Sequence, residues 1–155
     1  EYGAEELGMD ATAWFIAGFS HRSVMVGTAA QFAYPILGAG FFEDPVYLDA
    51  LHATVGFDFL RFSWQLQDTS AEVMYLAPNF GIRYEMYLAA TISLALCARV
   101  GPALSRSNHP DADNRVYWST GVAASWDVFD WLSVVFEFDW GTFNDTLRLG
   151  AMFRF

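Results

Sequence analysis

Apolar and polar positions alternate with a period of two through most of this chain. That period predicts strands, because successive side chains of an extended backbone point to opposite faces. The alternation is cleanest at residues 145–155, where Leu147, Leu149, Ala151, Phe153 and Phe155 share one face and Thr146, Arg148, Gly150, Met152 and Arg154 share the other. Upstream, residues 131–141 set Leu132, Val134, Phe136, Phe138 and Trp140 against Ser133, Glu137 and Asp139. Residues 115–126 set Val116, Trp118, Val122 and Trp126 against Arg115, Tyr117, Ser119 and Ser125. Residues 90–100 oppose Ile92, Leu94 and Leu96 to Ser93, Cys97 and Arg99, and residues 73–84 oppose Met74, Leu76, Phe80 and Ile82 to Tyr75, Asn79 and Arg83. Residues 61–67 read as Phe62, Trp64 and Leu66 against Arg61, Ser63 and Gln65; residues 46–57 read as Leu51, Ala53, Val55 and Phe57 against His52.

Residues 11–20 add one more strand, for eight, with 21–45 as an apolar first connection. The alternative makes 23–33 (Val24, Val26, Thr28, Ala30 and Phe32 on one face) and 36–42 strands as well, for ten. Chain length favours eight and pattern favours ten; eight is adopted. Three joints are short and flanked by aromatics, at 57–60, 84–87 and 126–131, and these predict tight turns. The joints of the other end are 67–71, 101–114 and 141–145, of which only 101–114 is long, polar and turn-rich.

Composition turns alternation into a membrane argument. The 155 residues suit one domain, residues 11–155, behind an acidic lead-in at 1–10. The chain is 54% apolar and 18% aromatic, yet no apolar run reaches the ~20 residues of a membrane-crossing helix. The best stretch, 86–100, is too short and carries Arg99. Such oiliness without long runs predicts a membrane β-barrel, whose lipid-facing and lumen-facing residues alternate.

An arginine facing lipid near mid-membrane costs roughly 2–4 kcal/mol. Under these phases Arg61, Arg83, Arg99, Arg115, Arg148 and Arg154 all point inward, and Arg22 and Arg106 fall in a turn or loop. Trp64, Trp118, Trp126 and Trp140 all lie on the apolar face. Trp118 and Trp126 are separated by roughly 20 Å of height on a tilted strand, which places two aromatic girdles.

The phenylalanine-terminated final strand, the tight aromatic turns and the single long loop resemble the small bacterial outer-membrane barrels of the OmpX and OmpA type. The resemblance covers residues 46–155 best. It implies an all-β, antiparallel, up-and-down transmembrane barrel in the bacterial outer membrane, reached after export and removal of a signal peptide. It also implies that Phe153 and Phe155 serve as the signal read by the outer-membrane insertion machinery. Partners expected on this reading are outer-membrane lipids, lipopolysaccharide and a protein docking at the external loops.

Chemistry is sparse. Eight arginines, no lysine and a net charge of −10 exclude a nucleic-acid surface. A single cysteine, Cys97, excludes an internal disulfide, and no cofactor or metal set is apparent; Asp111 and Asp113 are too few for calcium. Inside the barrel, Asp139 is expected opposite Arg148 with Glu137 on the diagonal, and Arg99 and Arg115 nearby. Arg61, Arg83 and Arg154 line the opposite, periplasmic end. Read structurally, this is an ion-pair plug. Read functionally, six inward arginines against two inward acids would make a narrow anion-preferring pore. The remaining acids are expected on solvated rims: Glu43, Asp44, Asp68, Asp111, Asp113 and Asp145 at the loops, Asp58, Glu85, Asp127 and Asp130 at the turns. A lipid A-modifying enzyme is the third class. Its candidates, Ser105, Ser107, His109, Asp111 and Asp113 in the loop and Ser20, His21 and Ser23 near the first turn, do not match the lipid-facing Ser, His and acid of the deacylase barrels. No catalytic residue is therefore assigned, and His52 is expected to make a lumen hydrogen bond.

Overall fold

A computed structural model describes residues 8–20, 23–37, 41, 48–66, 69–107, 113–143 and 145–155. Eight strands form one closed antiparallel barrel in which each strand pairs with its sequence neighbours and the last with the first. They are β1 (Asp10–Ser20), β2 (Ser23–Leu37), β3 (Asp49–Leu66), β4 (Thr69–Ala89), β5 (Ile92–Arg106), β6 (Arg115–Phe129), β7 (Leu132–Gly141) and β8 (Thr146–Arg154). Closure runs from Asp10 opposite Arg154 to Gly18 opposite Thr146. An even strand number puts both termini at one end, together with the two-residue turns at 90–91 and 130–131. The connections after β1, β3, β5 and β7 lie at the other, the loop end.

The count of eight holds, but β2, β3, β4 and β5 differ from the sequence expectation. Residues 21–45 are not one long connection: β2 occupies Ser23–Leu37, and Ile36 belongs to its end rather than to a further strand. Residues 46–57 and 61–67 are one strand, β3, because alternation continues through the supposed turn at 57–60. Phe57 and Phe59 are exposed on the outer face while Asp58 and Leu60 are buried. A lone aspartate between aromatics resembles a turn only while its partners are out of view. The 84–87 turn is likewise strand, and β4 turns at 90–91 instead. Its Glu85 is buried inside the barrel. β5 runs on to Arg106, which removes 101–106 from the long loop.

Continuity of β3 reverses the phase expected for residues 61–67. Phe62 is buried and Arg61 faces outward, so Arg61, like Arg106 at the end of β5, stands on the exterior. Arg61 lies toward the loop end, where Glu72 accepts its guanidinium Nη2–H at 2.8 Å. The Trp64 side chain, and His21, Glu43, Asp44, Asp68, His109 and Asp111, lie outside what the structure describes. Elsewhere the phases agree. Leu94, Leu96, Val122, Phe136, Leu147 and Leu149 are exposed, and so are Trp118, Trp126 and Trp140 near the strand ends.

Candidate functional site

The interior holds the chain's polar chemistry, stacked in three layers that the inward positions of the strands build. At the loop end the layer is aromatic. Phe143, in the connection between β7 and β8, turns into the barrel with its ring 4.8 Å from that of Tyr75 and 5.2 Å from that of Phe62. Tyr117 stacks on Phe143 at 5.8 Å. Thr142 sets that direction by bonding back to β6: it donates its backbone N–H to the Trp118 carbonyl and accepts the Trp118 N–H on its hydroxyl. Arg115 stands exposed on the rim with its guanidinium 5.8 Å over the Tyr75 ring, outside the ion-pair network it was expected to join.

The middle layer is an ion-pair network. Arg148 donates to Asp139 through Nε, to Asp58 at 2.7 Å and to the Tyr117 hydroxyl oxygen at 2.8 Å. Asp58 also accepts from the Tyr117 hydroxyl at 2.8 Å and from the Asn79 amide at 3.2 Å. Arg99 forks onto Glu137, at 2.6 Å through Nη2, and reaches Asp139 at 3.2 Å. Register places Glu137 directly opposite Arg148, and Asp139 opposite Thr146, a two-residue shift from the expected pairing. Asp139 then meets Arg148 on the diagonal. Gly121 makes room for it: a Cβ there would lie 2.1 Å from the Asp139 Oδ1.

The layer toward the termini joins Arg83 to Asp10, the first residue of β1, and to Glu85 at 3.4 Å. Ser93 donates to Glu85 and contacts the Ser125 hydroxyl at 2.6 Å. Arg154 closes this end against Asp127 at 2.7 Å, and Ser133 donates to the same carboxylate. His52 points inward as expected, although its Nδ1 has no protein partner among the described residues.

These layers reverse the charge balance read from the sequence. Among the described residues Asp10, Asp58, Glu85, Glu137 and Asp139 are buried in the interior, against Arg83, Arg99 and Arg148. Carboxylates therefore outnumber guanidiniums inside, and the arginine excess that motivated an anion-preferring pore is gone. Sequence reasoning missed Asp10, Asp58 and Glu85 because each sits at a supposed lead-in or turn. Two cavities between the layers, one beside Phe143 and Arg148 and one beside Trp14 and Arg83, are about 10 Å³ each. That is about the space of one water.

A closed, all-next-neighbour barrel with an apolar exterior and an ion-paired interior is the architecture of a transmembrane β-barrel, since only closure satisfies every backbone group in lipid. No protein family and no curated protein matches the sequence. Solved structures do match in fold. A de novo designed transmembrane β-barrel superposes with a TM-score of 0.55 at 14% identity, over 94% of this chain and 95% of that one. The neisserial surface protein NspA matches at 0.54 and 12%, over 95% and 96% of the two chains. Ail, the attachment invasion locus protein of Yersinia pestis, in complex with the heparin analogue sucrose octasulfate, matches at 0.52 and 15%, over 96% and 99%. This chain has the fold of the small outer-membrane β-barrels.

Proposed function

We propose that the protein is a bacterial outer-membrane barrel with a closed lumen, non-catalytic, which stabilises the envelope and presents its loop end to partners. The observation that carries this reading is the middle layer. Arg148, Asp58, Asp139, Glu137 and Arg99 meet across the lumen from β8, β3, β7 and β5. Eight strands leave an interior just wide enough for side chains, and here charged ones fill it. The aromatic layer of Phe62, Tyr75, Tyr117 and Phe143 supports closure from the loop end. Partners on this reading are outer-membrane lipid and lipopolysaccharide around the barrel, the insertion machinery acting on Phe153 and Phe155, and a protein at the loops. NspA is named a surface protein and Ail an attachment invasion protein, and both share this fold, which is consistent with display as the role.

The sole cysteine supplies the test. Cys97 is buried on the inner face of β5. In the bilayer-inserted protein a small charged methanethiosulfonate should leave Cys97 unmodified until urea unfolds the barrel, as read by intact mass. Fast labelling in the folded state would mean a water-filled lumen and would favour the narrow-pore reading instead.

A further inference from the structure

Among the described residues the exterior carries a charged row that a plain apolar belt does not explain. Register aligns Arg61 on β3, Met74 on β4 and Arg106 on β5 in a single cross-strand row. Immediately beneath it, toward the termini, runs a second outward row of Phe59, Leu76 and Leu104, which are aligned in the same way and exposed. The two rows mark the line where the apolar band ends and the loop-end rim begins. Arg61 is 54% exposed and shares Glu72, while Arg106 is exposed and has no ion-pair partner among the described residues. The chain just after Arg106 is tied to β4, because the Ser107 hydroxyl donates to the Glu72 carbonyl at 3.3 Å.

Two strands apart, the Arg61 and Arg106 backbones are separated by roughly 10 Å, within the combined reach of two arginine side chains onto one small anion. A guanidinium carries five donors in a fork that matches phosphate oxygens, so Arg61 can keep Glu72 and still donate outward. We propose that this row seats the phosphate of one anionic lipid headgroup, with the lipid's acyl chains lying along Phe59, Leu76 and Leu104. The inference rests on the membrane-spanning reading above. Lipid is the occupant rather than a soluble anion for two reasons. The apolar row continues the site directly into hydrocarbon. A net charge of −10, with Asp113 and Asp145 exposed at the same end, repels soluble polyanions, whereas a lipid arrives laterally.

Native mass spectrometry of the refolded protein in a neutral detergent tests this, with dioleoyl-phosphatidylglycerol, dioleoyl-phosphatidylcholine and sucrose octasulfate offered in turn. The wild type should retain one phosphatidylglycerol in preference to phosphatidylcholine. The double variant R61Q/R106Q should lose that adduct about tenfold, the scale of one charge-assisted arginine–phosphate bond, with heat-shifted gel migration reporting its fold. R106Q, which breaks no described ion pair, carries the same test at smaller amplitude if the double variant does not fold. Equal phosphatidylglycerol retention by the wild type and R106Q would overturn the site, as would retention of the octasulfate without lipid. A protein that enters neither micelles nor bilayers would overturn the transmembrane reading itself, which is a different failure.

Discussion

Replacing Arg148 by methionine should cost the folded barrel about 3–5 kcal/mol, the usual consequence of removing one partner from a buried ion network. Methionine fills much of the volume of arginine but leaves the Asp139 and Asp58 carboxylates without their shared guanidinium. Asp139 retains Arg99 and Asp58 retains Tyr117 and Asn79, so the layer is weakened rather than emptied. The measurement is reversible urea unfolding in lipid vesicles, followed by tryptophan fluorescence and by the gel shift of the folded form. The triple change Arg148→Met, Asp58→Leu and Asp139→Leu should recover much of the loss, because replacing a whole buried ion group by apolar volume is often neutral. Glu137 keeps Arg99 in that variant. A loss under about 1 kcal/mol for Arg148→Met, the size expected of an exposed pair, would mean that this layer is solvated.

The second large effect belongs to the exterior. Leu149 lies near the middle of β8, 56% exposed, in a cross-strand row with Phe136 on β7 and Phe15 on β1. Leu149→Arg should destabilise the bilayer-inserted protein by about 2–4 kcal/mol, the cost of a lipid-facing arginine near the midplane. The same substitution on a water-facing surface would fall within about 0.5 kcal/mol of zero. Urea titration in vesicles distinguishes the two, and a value near zero would mean that this face of the barrel is wet.

Most of the architecture was legible because the two faces of most strands differ sharply in chemistry. On β5, β6, β7 and β8 every outward position but Arg106, at the loop end of β5, is apolar, small or aromatic, and the inward ones are mostly serine, glycine, arginine or acid, so phase and closing pair follow from alternation. Legibility failed where the interior is itself oily. The upper part of β3 buries Leu60 and Phe62 on the inside and shows Phe57 and Phe59 on the outside; with both faces apolar, period two gives no phase. The expected turn at Asp58 then inverted the phase of residues 61–67, Arg61 included.

The site was harder to read than the fold because its bonds are non-local. Asp58 is held by Asn79, Tyr117 and Arg148, which lie 21, 59 and 90 residues away. No window of sequence contains that set. Glu85 and Asp10 failed in the same way: Arg83 neighbours Glu85 along β4 but pairs with Asp10 73 residues upstream. Phe143 had a weak local signal, a single aromatic inside a short polar connection. An aromatic that water would not favour at a loop tip has reason to fold back into the barrel.

The most direct measurement is single-channel conductance of the refolded protein in a planar bilayer, with insertion established separately by the heat-dependent gel shift. A lumen crossed by the Arg148, Asp58, Asp139, Glu137 and Arg99 network should give a silent bilayer at every salt gradient applied. Discrete, reproducible conductance steps from verified barrels would contradict closure and make the interior a pore.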